Sequence, residues 1–179
     1  TNKHFINKIL SKNLIGKKTK KIIIENSFYI KKCINNIIPS QEIKRNLQVV
    51  HDDLNHSNII ISKNYIKFVD LEDLIVENLK IAISFGIFKI LRHVVFININ
   101  KINYINIYAK KLCDDLIKKK IFTSCGEIFN MCALRILSDL SLIINDLYAG
   151  EKKYLYDFEK KILNLIELRY IFKLHELKS

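Results

Sequence analysis

Glycine and proline are scarce in this chain. Four Gly and one Pro in 179 residues exclude collagen-like and low-complexity classes. They also disfavour an all-β fold, which needs many turn residues. Cysteine is sparse too: Cys33, Cys113, Cys125 and Cys132 form no CxxC pair and follow no secretory leader, so reduced, cytoplasmic thiols are expected. Long hydrophobic runs are missing. The most apolar stretch, Ile81 to Ile99, is interrupted by Lys89, Arg92 and His93, which predicts a buried helix and no membrane span. Arginine is rare: of 30 Lys and Arg, only Arg45, Arg92, Arg135 and Arg169 are Arg. A nucleic-acid binder favours the planar guanidinium fork. The formal charge of +12 therefore belongs to a general excess of Lys, Ile and Asn, and no specific nucleic-acid partner is expected.

What remains is a globular composition, 49% apolar and 27% charged, of a length that fits one domain over residues 1–179. Apolar residues recur at helical spacing from Lys21 to Ile38, where Pro39 ends the pattern and Ser40 can cap a short helix through Leu47. Four further helices are predicted near 76–98, 101–120, 125–148 and 151–177. Thr123 and Ser124 cap the third of these, and Ala149-Gly150 ends it. Only the middle reads as extended: Asn58 to Ile61, a Ser62-Lys63-Asn64 turn, then Tyr65 to Val69. The fold class expected is mainly α (α+β), with one small hairpin among helices.

Polar residues gather at the ends of that hairpin. The segment His51-Asp52-Asp53-Leu54-Asn55-His56-Ser57-Asn58 leads in, and Asp70-Leu71-Glu72-Asp73 leads out. A hairpin sets Asn58 beside Asp70, with Asp53 in the loop just before. Phosphoryl transfer needs such a set: one carboxylate to orient the attacking hydroxyl, and hard oxygen ligands to hold Mg²⁺ against phosphates. A metal site built from His51, His56 and Asp53 is a weaker alternative, because the five-residue His spacing suits neither a helix face nor a strand face. The acidic residues Asp114, Asp115, Asp139 and Asp146 are expected on solvated helix faces. His93 is expected on a helix surface or in packing.

His51-x-Asp53-x-x-x-x-Asn58, followed by a short hairpin and Val69-Asp70-Leu71-Glu72-Asp73, resembles the aminoglycoside phosphotransferase and choline/ethanolamine kinase family. That family's signature is an HGDLHPGN- or HNDLxxxN-like loop and then a strand ending in IDFE. The resemblance covers residues 47 to 73, with Asp52 in place of a common Gly or Asn and His56 in place of a common Pro. It implies the helical C-terminal lobe of a protein-kinase-like fold, using ATP and Mg²⁺ to phosphorylate a small-molecule hydroxyl. It further implies Asp53 as the catalytic base, His51 as a brace of the catalytic loop, and Asn58 and Asp70 as Mg²⁺ ligands. Glu72, Asn55 and Asp73 would support the metal or the substrate.

Only about 50 residues precede the loop, without a Gly-rich run or a strand lysine. The resemblance thus implies a fragment that lacks the family's N-terminal nucleotide lobe, which would be its partner. The competing expectation is a non-catalytic helical interaction domain: a degenerate kinase relative, or a basic binder of nucleic acid or a membrane surface.

Overall fold

A computed structural model describes residues 15–36, 44–97 and 102–172. They are mostly helical, with two small two-stranded sheets. The chain divides into two compact units, residues 1–37 with 133–169 and residues 38–132 with 170–179. Among the described residues no helix is long and apolar enough to cross a membrane.

The first unit contains α1 (Lys17–Glu25) and α2 (Ser27–Asn35). The single helix expected over residues 21–38 is thus two, broken at Asn26, whose side chain turns back to donate to the Ile22 carbonyl; this local competition for backbone groups is typical of Asn. The unit also takes most of α5 (Cys125–Tyr148) and α6 (Leu155–Ile171). Among the described residues its core is mostly aliphatic and includes Ile23, Ile30, Ile136, Leu140, Phe158 and Ile162. Asp139 does not lie on a solvated face as expected. Its side chain is 18% exposed, and it pairs with Arg135 one helical turn away and with Lys161 of α6. Removing one partner of such a sheltered pair would cost more than the pair contributes.

The second unit holds both sheets, α3 (Leu79–Ile97), α4 (Ile102–Lys118) and the start of α5. The expected hairpin is present as β2 (Ile59–Ile61) and β3 (Ile66–Phe68), with Ile59 opposite Phe68 and Ile61 opposite Ile66. A second sheet corrects the expectation of one hairpin. Strand β1 (Leu47–His51) pairs antiparallel with β4 (Leu74–Asn78), Val50 opposite Ile75. Residues 37–43 lie outside the described residues, so the short helix expected from Ser40 is not described at its start, and its last residue, Leu47, is in a strand. Helix α3 begins at Leu79, not near residue 76, because the preceding residues complete β4. Asn78 then accepts from the Lys80 N–H at 2.9 Å and caps the helix.

The remaining helix ends follow local chemistry. Ser124 Oγ accepts from the Glu127 N–H at 3.1 Å, while Glu127 accepts from the Thr123 N–H at 2.7 Å and from its hydroxyl at 2.8 Å. These bonds fix the start of α5 much as a capping box does. At its other end, Gly150 lies at φ 98, with Gly150 N–H to Leu147 O at 3.2 Å and Glu151 N–H to Asp146 O at 3.1 Å. That is a Schellman motif with glycine at its left-handed position. A 3-10 turn at Lys152–Tyr154 occupies the start of the last predicted helix.

Helix α4 ends in the same motif without glycine. Lys120 N–H reaches Ile117 O at 2.9 Å, Ile121 N–H reaches Leu116 O at 3.0 Å, and Lys120 stands at φ 59. A left-handed β-carbon is strained by about 1 kcal/mol or more. Lys120→Gly is expected to stabilise the protein by roughly 1 kcal/mol, read as a higher urea midpoint at unchanged slope. A destabilised variant would contradict the turn geometry.

Candidate active site

Both sheets converge on the polar segment. His51 is the last residue of β1, and Leu74 opposite it is the first of β4. The Asp52 N–H continues this pairing by donating to Asp73 O at 2.8 Å. A 3-10 turn over His56–Asn58 then delivers the chain to β2. Across the hairpin, the Val69 N–H donates to Asn58 O at 3.0 Å. The site is therefore held by backbone on both sides of residues 51–58.

Side chains complete the framework. His51 Nε2 lies 2.9 Å from the Val69 carbonyl. A carbonyl only accepts, so Nε2 carries the proton, and the bond ties the end of β1 to the end of β3. Asn58 is buried at 7% exposure. Its Nδ2 donates to Asp53 O at 2.9 Å and approaches Asp53 Oδ2 at 3.4 Å. Asn55 caps the 3-10 turn by accepting from the Ser57 N–H at 2.8 Å, and its Nδ2 donates to Asp53 Oδ2. Asp53, Asn55 and Asn58 thus form one hydrogen-bonded group, braced by His51.

Asp70 follows Val69 directly and adopts φ 63, ψ 50. Asp tolerates this left-handed conformation better than most residues. It turns the chain sharply from β3 into the 3-10 turn Leu71–Asp73. Asp70, Glu72 and Asp73 are exposed. Backbone pairing brings Asp70 to the residue after Asn58's partner. Glu72 and Asp73 lie at the far side of the turn, with Asp73 joined to the loop through its carbonyl. Among the described residues no group of three or more His, Cys, Asp or Glu is arranged to hold a metal. A set of one carboxylate, one carboxamide oxygen and ligand phosphates needs no such group.

One face of α3 seats this loop, and sequence reasoning missed it. Gly86, Lys89 and His93 fall at helical spacing i, i+3 and i+7, which places them on a single stripe. Each meets one loop residue. A β-carbon on Gly86 would lie 2.9 Å from Leu54 Cδ2 and 3.4 Å from Leu54 Cβ. Glycine inside a helix costs about 1 kcal/mol relative to alanine, so its use here is explained by the close approach of Leu54. Lys89 Nζ binds Asp53 Oδ1 at 2.7 Å and reaches Asp52 O at 3.3 Å. The same ammonium sits 4.6 Å from the centre of the Phe85 ring. His93 stacks on His56 with ring centroids 3.3 Å apart and planes 15° apart. The signal was present in the apolar run 81–99. The glycine and two of the three polar interruptions that exclude a membrane span, Lys89 and His93, are residues that touch the loop.

Burial works to raise the Asp53 carboxyl, but the hydrogen bond and charge of Lys89, helped by His51 and Asn55, outweigh it and hold Asp53 below the usual carboxylate range. The residue is thus a fixed anion across the neutral range. It can accept a hydrogen bond from a hydroxyl and orient it, while its low basicity makes it a weak proton acceptor in the ground state.

Compared with protein-family models, curated proteins and solved structures, the chain matches none.

Two outcomes follow from the seat. Lys89→Met should raise the Asp53 pKa, followed by ¹³C carboxyl chemical shifts. Because the wild-type value is depressed, the stabilisation it gives is complete above the unfolded value near ~4 and is lost as pH falls through the folded value. The variant should show a flatter acid limb of stability. Gly86→Val should displace Leu54 and destabilise by about 1–3 kcal/mol, with faster amide exchange at residues 52–58. Unchanged exchange there would contradict the contact.

Proposed function

We propose that the second unit carries the catalytic and metal loops of an ATP- and Mg²⁺-dependent phosphotransferase acting on a small-molecule hydroxyl. Choline or ethanolamine, a sugar, or an aminoglycoside-like alcohol represents the acceptor class. The observation that carries the reading is the hydrogen-bonded group of Asp53 and Asn58, with Asp70 one residue past the Val69 that pairs with Asn58.

Under this reading Asp53 is the catalytic residue, and it accepts the acceptor hydroxyl's hydrogen bond to aim its oxygen. The proton passes from that oxygen to the Asp53 carboxylate as the phosphoryl bond forms, when the hydroxyl has become far more acidic than in the free alcohol. Asn58 donates its amide N–H to Asp53, and its Oδ1, which Ser57 Oγ approaches at 3.3 Å, would serve as a hard ligand. Asp70 supplies a second ligand from the other strand. Mg²⁺ held by these two would neutralise charge on the phosphates. Glu72 and Asp73, exposed on the next turn, are placed to support water around the metal or a cationic acceptor. His51 acts on position only.

The sheets beside the site carry exposed apolar side chains, among them Val49 and Val76 at 68% each, Ile61 and Phe68. Patches of this kind mark surfaces that another body covers. A nucleotide-binding lobe fits this position and would provide the rest of the ATP site. We therefore expect the 179-residue chain alone to bind Mg²⁺–ATP weakly or not at all by titration calorimetry. The non-catalytic reading is favoured by one observation, the Lys89 ammonium already bound to Asp53.

The deciding experiment is phosphoryl transfer from ATP to a panel of amino alcohols, sugars and aminoglycosides, using the protein joined to or mixed with its nucleotide lobe. Asp53→Asn and Asp70→Asn should each lower turnover by at least 10²-fold with the fold intact by circular dichroism. Turnover retained in Asp53→Asn would refute the assignment of that residue, and no transfer to any acceptor would favour the interaction domain.

A further inference from the structure

The first unit carries a basic surface of its own. From Lys17 to Lys32 the chain sets Lys17, Lys18, Lys20, Lys21, Lys31 and Lys32 against one acid, Glu25. A general excess of lysine explains their number but not the near absence of acid among them. All are exposed except Lys20, which is half-buried. Helices α1 and α2 each bury one stripe, Thr19 with Ile23 and Ile30 with Cys33. Helical spacing then puts Lys17, Lys21 and Ile24 on the outward face of α1, and Phe28, Lys31 and Lys32 on that of α2. Ile24 is 58% exposed and Phe28 82%, and they flank the break at Asn26. Each helix thus turns one large apolar side chain outward among lysines.

Local stability does not account for this pattern. The first turn of α1 contains no acid, and Lys17 and Lys18 stand where the helix dipole favours negative charge. Only Lys32, in the last turn of α2, suits its helix end. The Lys21–Glu25 pair is exposed and 3.8 Å long, so it contributes little. Glu159 of α6 accepts from the Thr19 hydroxyl on the buried side.

We infer that the outward face of α1 and α2 docks on an anionic lipid surface. Phe28 and Ile24 enter the acyl boundary, and the lysines lie at the level of the phosphates. Charge complementarity selects this partner: a cluster of roughly four to eight basic residues on an amphipathic helix is drawn to anionic lipid. Lysine suits such a surface, because its stem covers apolar ground while its ammonium reaches outward. The segment has no Arg, which a nucleic-acid site would favour. The outward ring and aliphatic chain add apolar burial that a contact of charge alone does not use.

Lipid docking and phosphoryl transfer are independent, so neither result decides the other. The full chain is mixed with vesicles of phosphatidylcholine, or of phosphatidylcholine with phosphatidylserine, and sedimented. It should sediment with the phosphatidylserine vesicles only, and less so as salt rises. The chain has no Trp, so Phe28→Trp provides a single reporter, whose emission should shift to the blue on those vesicles. Phe28→Ser keeps every charge and should weaken binding by about tenfold. Lys17→Glu combined with Lys18→Glu should weaken it by at least about tenfold. These side chains are exposed, so both variants should match the parent by circular dichroism. No binding, equal binding to both vesicles, an unshifted Phe28→Trp emission, or Phe28→Ser binding like the parent would each overturn the lipid assignment. Tighter binding to an RNA oligonucleotide or to soluble glycerophosphoserine than to the vesicles would overturn it too, as would self-association that shifts the Phe28→Trp emission without lipid.

Discussion

The Lys89–Asp53 ion pair is the contact on which the rest of the site depends. The loop from His51 to Asn58 has little regular structure and no core of its own. Backbone pairing holds its two ends, but nothing in that pairing sets where the middle points. Lys89 does so, by drawing Asp53 down onto α3 while Leu54 and His56 lock on either side of it. The pair is partly exposed, so its direct contribution to stability is small. Its importance is geometric: once Asp53 Oδ1 is taken by Lys89, Oδ2 is left facing Asn55 and Asn58, and the group has one arrangement.

That arrangement sets the electrostatics of the site. The protein is strongly basic as a whole, yet the turn after β3 exposes Asp70, Glu72 and Asp73 within four residues. One lysine is bound inside the loop, while the three carboxylates of that turn are exposed. That turn is an acidic edge on an otherwise basic chain. The same balance appears in the first unit, where Asp139 is satisfied by Arg135 and Lys161 and is withdrawn from any such role.

Much of this was legible beforehand, for physical reasons. The helices announce themselves through apolar spacing, and Ser124 and Gly150 mark the ends of α5 because their chemistry suits caps. The β2–β3 hairpin is local, with β-branched runs joined by three polar residues. The pairing of β1 with β4 was not legible. Its strands are separated by more than twenty residues, and Leu74 to Asn78 run straight into a helix that absorbs their pattern. Within the site, the loop residues were readable because their types and spacing carry chemistry. Their seat was not, because Gly86, Lys89 and His93 acquire meaning only once α3 is folded against the loop. The clustering of Asp53 with Asn58 was anticipated; the lysine that fixes Asp53 was not.

The antiparallel clasp of β1 and β4 brings the chain's entry to the site and its exit side by side. Everything between Leu47 and Asn78 is therefore, in topological terms, a single excursion from the helical scaffold. Such an excursion can be lengthened or shortened at its outer tip, the Ser62–Tyr65 turn, without moving the helices. The inner end has no such freedom. A slip of one residue between β1 and β4 would turn Val50 and Ile75 outward and reverse the side on which His51 emerges. Variation in such a site is thus channelled to one end, leaving the polar group at the base on a fixed footing while the rim is free to change.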